Sequence, residues 1–164
     1  MGSGKTTLGG ALADRLGARF VDLDALMEAS TGRSVHDLLT KDGEVEFRRL
    51  EFDTLRELVA SRPEDCVVAT GGGIVETPEA RLLLRALGRV VWLRADPEVC
   101  VARLGAAKRH RPLLADEAEW RRRWQQRQAL YRALADYVVD THPAGVEESL
   151  RQALEVLEPG CAAG

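Results

Sequence analysis

The chain has 164 residues, a length that allows one domain with a single hydrophobic core. Its 45% hydrophobic and 30% charged residues are typical of a globular protein, and its formal net charge of −3 argues against nucleic acid as the main partner. The sequence predicts no membrane span and no leader peptide, so we expect a cytoplasmic protein. Its three cysteines fit neither a zinc pattern nor a disulfide framework, so we expect reduced thiols.

Residues 1–7 contain the second half of a phosphate-binding loop. Gly4, Lys5 and Thr6 match the end of the motif G-x-x-x-x-G-K-[ST], whose first glycine would precede Met1. Glycines let backbone N–H groups turn toward a polyphosphate, and the following helix directs its positive end at the same anion. In such a loop Lys5 reaches the β- and γ-phosphates and Thr6 binds Mg²⁺. The alternative is a glycine-rich turn without a ligand.

Helical patterns then alternate with short β-rich runs. The first helix has an apolar stripe that includes Leu8 and Leu12 and ends near Gly17. Strands are predicted over 19–22, 66–70, 90–93 and 137–139, with helices over 25–30, 35–39, 44–60, 117–131 and 146–157. This alternation predicts an α/β fold in which helices cover both faces of a parallel sheet.

Helix starts are marked by capping residues. Ser34 begins an S-x-x-D cap, and Thr77 and Asp96 each precede a proline at a first helical position. In the helix predicted over 44–60 the expected buried side chains are Val45, Leu50, Leu55, Leu58 and Val59.

Two segments differ in composition from the rest. Residues 105–116 are rich in glycine, alanine and basic residues and end in R-P-L-L followed by Ala-Asp, which predicts a mobile lid over a site. Residues 159–164 are a Gly/Ala-rich flexible tail.

Candidate functional side chains follow the first two predicted strands. Asp22 and Asp24 stand at the carboxyl end of the first, where ligands bind in open parallel sheets, and their spacing along extended chain puts both on one side. The alternative for one of them is a cap on the helix over 25–30. Gly71, Gly72 and Gly73 follow the second strand. Three consecutive glycines cost about 0.5–1 kcal/mol each relative to alanine, so we expect close approach of a ligand to this backbone.

These motifs occur in one order together with D-G-E-V-E-F-R-R-L-E at 42–51, R-P-L-L at 111–114 and R-Q-A-L-Y at 127–131. In that order and spacing the chain resembles the shikimate kinase family from about Gly2 to Val156. The resemblance implies a three-layer P-loop kinase fold with a central parallel sheet, helices on both faces and a mobile lid over about 105–116. It also implies a single domain over 1–158.

The same resemblance implies ATP-dependent phosphorylation of the shikimate 3-hydroxyl, a step toward chorismate and the aromatic amino acids. The implied partners are ATP, ADP and shikimate, with Mg²⁺ as cofactor, and we expect a monomer. The implied catalytic residues are Lys5, Asp24 and Arg111, and the implied metal-binding residues are Thr6 and Asp22. Shikimate binding is implied for Asp24, Arg48, Gly71, Gly72, Gly73 and Arg127. ATP binding is implied for Gly2, Ser3, Gly4, Lys5, Thr6, Thr7, Arg103 and Arg111.

The paired arginines also have a physical rationale. Guanidinium groups match a carboxylate in two parallel hydrogen bonds, as a lysine ammonium does not. The alternatives are an intrahelical ion pair of Arg48 with Glu44 or Glu51, and a solvated Arg127 on a basic helix.

The family has a central strand before the phosphate-binding loop, and that first strand is missing from this chain. Five or six buried apolar residues contribute about 8–18 kcal/mol, at about 1.5–3 kcal/mol each. This rivals the whole stability of a domain, about 5–15 kcal/mol. We therefore expect the natural start to lie upstream of Met1. Two other functions stay open: another small-molecule P-loop kinase of the gluconate or nucleotide type, or an inactive truncated relic that binds but does not turn over.

Overall fold

Helices alternate with four short parallel strands in the computed structural model, which describes residues 2–104, 117–142 and 144–157. The strands are β1 (Arg19–Asp22), β2 (Cys66–Ala69), β3 (Val91–Arg94) and β4 (Tyr137–Asp140). The helices are α1 (Lys5–Leu16), α2 (Leu23–Thr31), α3 (Val35–Asp37), α4 (Gly43–Ala60), α5 (Pro78–Leu87), α6 (Pro97–Leu104), α7 (Glu117–Leu134) and α8 (Val146–Leu157). A π-helical turn, Leu38–Asp42, precedes α4, and a 3₁₀ turn, Ile74–Glu76, precedes α5.

The strands form two parallel pairs. β1 pairs with β2 from Arg19 opposite Cys66 to Asp22 opposite Ala69, and β3 pairs with β4 in the same manner. Parallel strands place their carboxyl ends at one edge of a sheet, which is the edge where ligands bind in open α/β folds. Asp22 therefore lies beside the start of the glycine triplet that follows β2.

Helix α1 packs beside both pairs. Leu8 and Leu12 from α1 form one core cluster with Val139 of β4 and with Leu150 and Ala153 of α8. In the described part of the chain β2 and β3 belong to separate sheets, and a cavity of about 380 Å³ lies between them, lined by α1 and α8. The fold therefore has the expected helices and parallel strands, without the first central strand.

A second core lies beneath the glycine triplet. It joins Val21 of β1, Leu55 of α4, Ile74 of the 3₁₀ turn and Leu134 of α7. Because these side chains are at most 6% exposed, the elements that carry the candidate site residues are held in fixed relative positions.

The predicted elements are confirmed with ends that shift by a few residues. Gly17 ends α1 with a φ of 64°, and Ser34 caps α3 by accepting a hydrogen bond from the Asp37 backbone N–H at 3.1 Å. Thr77 makes no side-chain cap hydrogen bond, although Pro78 does begin α5. Proline suits this first helical position because its φ is already helical and its missing N–H would have had no partner within the helix.

The predicted buried face of α4 is wrong at Val45, which is 88% exposed. Leu55 and Leu58 are buried as predicted, and Phe47 and Glu51 complete the buried face at spacings of four, four and three residues. The π-helical turn and the positive φ of Gly43 set where α4 begins, and this phase turns Val45 to solvent. Of the described helices, none is both long and apolar enough for a membrane span. The predicted lid over 105–116 and the tail over 159–164 lie outside the described residues.

Candidate functional site

The predicted phosphate-binding loop has the backbone that its glycines permit. Gly2 has a φ of 76° and Gly4 a φ of 90°, both in the left-handed region that side chains disfavour. Gly4 caps α1, so the helix begins at Lys5 with its N-terminal N–H groups at the loop. A Cβ at Gly2 would lie 2.3 Å from the carbonyl oxygen of Cys100, so the loop packs directly against α6.

Thr6 and Asp22 meet at the start of α1. The Thr6 hydroxyl donates a hydrogen bond to Asp22 Oδ2 at 3.1 Å, while Asp22 Oδ1 accepts from the Asp24 N–H at 3.0 Å. Asp22 therefore caps α2, as the alternative interpretation held, and also faces the predicted metal position. A hydroxyl and a carboxylate suit Mg²⁺, which binds few protein oxygens and keeps water and phosphate ligands. Among the described residues, no group of three or more His, Cys, Asp or Glu could hold a metal.

Arg48 lies inside a cluster of carboxylates. Its Nη1 donates to Glu51 Oε2 at 2.7 Å, and its Nη2 donates to Glu44 Oε1 at 3.3 Å and to Glu76 Oε2 at 3.5 Å. The intrahelical pairs considered as the alternative are therefore present. A Cβ at Gly73 would lie 1.9 Å from Arg48 Nη2, so the guanidinium packs directly on the triplet backbone. Glycine at position 73 is what allows that contact.

Arg127 approaches the same place from α7. Its side chain is 12% exposed, and its Nη2 donates to Glu76 Oε2 at 2.9 Å. Arg48 and Arg127 thus converge on one carboxylate oxygen, and the alternative of a solvated Arg127 is wrong. The buried Nε of Arg127 makes no hydrogen bond to any residue that the structure describes. The sequence analysis did not identify Glu76, which stands three residues after the last glycine of the triplet.

A second carboxylate, Glu51, which the sequence indicated only as a possible ion-pair partner of Arg48, lies beside Asp24. Glu51 is 1% exposed, and its Oε1 lies 2.4 Å from the position that a Cβ of Gly71 would take. Asp24 Oδ1 lies 3.5 Å from that same position. Burial raises the pKa of Glu51 from 4.5 to about 7; the Arg48 guanidinium opposes this shift and the Asp24 charge adds to it. Two carboxylates therefore border Gly71, and burial favours the protonated form of Glu51.

Glu44 connects this cluster to α7. Both of its oxygens accept from Arg123 Nη1 at 2.7 Å, and Arg123 Nε donates to Glu119 Oε1 at 2.7 Å. Burial acts to raise the pKa of Glu44, but the hydrogen bonds and charges of Arg123 and Arg48 outweigh it and lower the pKa. Helices α4 and α7 are thus joined by a chain of ion pairs that ends at Arg48.

A cavity of about 260 Å³ extends from the loop to the triplet and also along the gap between β2 and β3. Its lining includes Ser3 and Lys5 from the loop, Gly71 and Gly72 from the triplet, and Arg127. Tyr131 also lines it and donates from its hydroxyl to the Gly72 carbonyl at 2.6 Å. Burial raises the pKa of Tyr131, so this hydroxyl stays protonated as a donor. An anion bound at the loop and a second molecule at the triplet would share this space.

The remaining predicted residues lie around or beyond this cavity. Arg103 on α6 donates to the Thr141 carbonyl at 2.5 Å and to its hydroxyl at 3.2 Å. Thr7 is exposed in the first turn of α1. Arg111 lies outside the described residues. The structure therefore brings together the loop, the two aspartates, the triplet and the arginine pair.

Comparisons with known proteins agree with this geometry. The family model described as shikimate kinase matches residues 1–158. A shikimate kinase of Geobacter metallireducens is 41% identical over 96% of this chain and 88% of its own length, and one of Caldanaerobacter subterraneus is 40% identical over 90% and 86%. Among solved structures, shikimate kinase from Acinetobacter baumannii in complex with shikimate has a TM-score of 0.88 at 35% identity, covering 96% of this chain and 88% of that one. The Aquifex aeolicus enzyme has a TM-score of 0.83 at 32% identity, covering 100% and 95%.

Proposed function

The chain belongs to the shikimate kinase family, and from this premise we propose that the cavity between the loop and the glycine triplet is its site of phosphoryl transfer. The protein is an ATP-dependent phosphotransferase that converts shikimate to shikimate 3-phosphate, releasing ADP, on the route to chorismate and the aromatic amino acids. The observation that carries the location is the shared lining by Lys5, Gly71, Gly72 and Arg127.

The acceptor binds on the side of the triplet. Arg48 and Arg127 bind the shikimate carboxylate, because two guanidinium groups that converge on one oxygen offer forked donors to a carboxylate. Asp24 accepts hydrogen bonds from ring hydroxyls. Glycines at 71–73 let the ring approach the backbone closely, since a Cβ at either end would already meet Glu51 or Arg48.

The donor binds on the side of the loop. The N–H groups of Gly2, Ser3 and Gly4 and the first turn of α1, including Thr7, cradle the ATP phosphates, and Lys5 adds a positive charge. Thr6 and Asp22 would hold Mg²⁺, which would neutralise charge on the phosphates when bound. Arg103 is proposed to stack on the adenine.

In phosphoryl transfer the protein mainly positions the reactants and stabilises the developing charge. Asp24 orients the 3-hydroxyl and accepts its proton as the oxygen–phosphorus bond forms and the bond to the ADP oxygen breaks. Lys5 and Arg111 neutralise the charge that builds on the transferring group and on ADP. The segment over 105–116 closes over the phosphates and excludes water, so that ATP is not hydrolysed without acceptor. The unit acts as a cytoplasmic monomer formed by residues 1–158.

A coupled ADP-release assay with ATP and Mg²⁺ tests this function. We expect ADP release that depends on shikimate and stops when EDTA removes the metal. Gluconate and a nucleoside monophosphate serve as alternative acceptors, because the arginine pair with Asp24 favours a carboxylated cyclic polyol over a nucleotide. Release with either of these but not with shikimate would assign another P-loop kinase activity. Shikimate binding in calorimetry without turnover would instead identify an inactive relic.

The role of Arg111 has its own kinetic test. Because Arg111 is proposed to act on charge that develops in the transition state, Arg111→Ala should lower kcat far more than it raises the KM for shikimate. A change in KM alone would contradict that role.

A further inference from the structure

The two arginines assigned to the substrate carboxylate already share a carboxylate that the chain itself supplies. Glu76 Oε2 accepts from Arg127 Nη2 at 2.9 Å and lies 3.5 Å from Arg48 Nη2. The arginines are 12% and 16% exposed, whereas the Glu76 side chain is 32% exposed. Glu76 therefore approaches a half-enclosed cation pair from the more open side.

The other acidic partners of Arg48 have different positions. Glu51 is buried beneath the triplet, and Glu44 is held on both oxygens by Arg123. Among the contacts of the described residues, Glu76 is the carboxylate that Arg48 and Arg127 share. It stands at the last residue of the 3₁₀ turn Ile74–Glu76, directly after the triplet that borders the cavity.

We propose that Glu76 is an internal occupant of the acceptor carboxylate subsite, and that the substrate carboxylate must displace it to bind. This inference rests on the proposed function and adds a specificity-determining residue to it. Glu76 Oε2 occupies the position between Arg48 Nη2 and Arg127 Nη2, so a substrate carboxylate that binds both nitrogens there must take the place of that oxygen. The exchange replaces one ion pair by another.

Two consequences follow from such an exchange. The affinity for shikimate is lower than the arginine pair alone would give, because each binding event breaks the Glu76 contacts. Selectivity for anions is higher, because a neutral polyol has no group that can replace Glu76 between the arginines. In the absence of substrate, Glu76 thereby provides an ion-pair partner for the partly buried guanidinium groups of Arg48 and Arg127.

Calorimetry with shikimate in the absence of nucleotide tests the proposal on the whole chain. Glu76→Gln keeps an oxygen acceptor for Arg127 but removes the competing charge. We expect the Kd for shikimate to fall about three- to tenfold, the range of a partly exposed ion pair. The matched control is Glu79→Gln, an exposed position in the first turn of α5, which should leave the Kd unchanged.

The methyl ester of shikimate separates charge exchange from a general change of the pocket. Its affinity should not gain from Glu76→Gln as that of the acid does, since the ester carries no charge to attract. The Kd of the acid in the variant should also rise more steeply with NaCl than that of the wild type, because binding there adds an anion to uncompensated cations.

Each outcome decides the question. The inference is overturned if Glu76→Gln keeps its thermal unfolding midpoint but its Kd for shikimate is unchanged or higher. That result would show that Glu76 only supports Arg127. If Glu76→Gln does not fold, Glu76→Asp, whose shorter side chain reaches the arginines less well, must show the same direction of change. Absence of shikimate binding by the wild type would refute the proposed function itself, which is a separate result.

Discussion

The donor and acceptor sides of the cavity recognise anions by different means. On the donor side the main chain forms the site. Two glycines have a positive φ, α1 begins at Lys5, and the backbone of Gly2 packs against α6. On the acceptor side the geometry resides in side chains, where Arg48 and Arg127 are held among carboxylates that the chain provides.

Because of this difference, the two sides lose function through different kinds of substitution. A backbone cradle tolerates changes of charge around it but not an added Cβ, because main-chain atoms cannot move aside cheaply. A network of ion pairs tolerates small shifts in position but not a change in its charge balance. Substitutions that act on one property at a time therefore separate the two sides, beginning with the largest expected effect.

Gly2→Ala should act on the donor side alone. The new Cβ would meet the Cys100 carbonyl at 2.3 Å on a backbone with a φ of 76°, so the loop must shift. We expect kcat/KM for ATP to fall about 10²–10³-fold, as misplacement of catalytic groups does. Calorimetry should show unchanged binding of shikimate without nucleotide.

Gly10→Ala is the control for that variant. Gly10 lies within α1 with no atom within 4 Å of an added Cβ. The variant should keep its activity and gain up to about 1 kcal/mol of stability from helix propensity. Equal loss of activity in both variants would contradict the cradle interpretation.

Glu51→Gln should change the pH dependence of stability on the acceptor side. The pKa of Glu51 is about 7 in the folded protein against an ordinary 4.5, so its contribution is complete below pH 4.5 and is lost as pH rises through 7. Between pH 5 and 8 the wild type should lose about 2–3 kcal/mol that the neutral variant keeps, at about 1.4 kcal/mol per pKa unit. Urea unfolding at both pH values measures this difference.

The control for this substitution is Glu57→Gln, at an exposed position of the same helix. Its pH dependence should follow that of the wild type. If Glu51→Gln also follows the wild type, then Glu51 ionises in the folded protein much as it does in the unfolded chain, and its burial beside Asp24 has no energetic consequence.

Arg127→Lys should have the smallest of the three effects and should leave the donor side unchanged. Lysine supplies one point charge in place of a fork, so it loses a hydrogen bond to the substrate carboxylate. We expect the KM for shikimate to rise about tenfold, near 1.4 kcal/mol, with the KM for ATP unaffected. Steady-state kinetics measure both, and Arg132→Lys, exposed on the same helix, should change neither.

Local chemistry explains what could be predicted from the sequence. The Gly2 and Gly4 turns, the Ser34 cap and the strand–helix alternation each depend on a few adjacent residues, and the structure confirms them. The convergence of Arg48 and Arg127 is different, because it brings together α4 and α7, which are far apart in the chain. Only the family resemblance predicted that pair.

The wrong or missing predictions have one physical origin. The apolar pattern predicted Val45 on the buried face, and this was wrong. The π-helical turn before α4 sets where that helix begins, and apolar spacing gives no sign of the turn. In the sequence Glu76 looks like a solvated acidic residue, and Glu51 stands out only as a possible intrahelical partner of Arg48. The burial of Glu51 and the arginine partners of Glu76 come from packing between elements, so a single chain pattern gives no sign of them.

The junction at Glu44 has a practical consequence for protein engineering. Arg123 belongs to a run of three arginines on α7 that a library meant to improve solubility would naturally vary, although its side chain is only 24% exposed. Its partner Glu44 is also bound by Arg48, so replacing Arg123 redistributes charge at a position that contacts the glycine triplet. Libraries that recode the surface of this helix should therefore keep residue 123 fixed, or vary it together with residue 44.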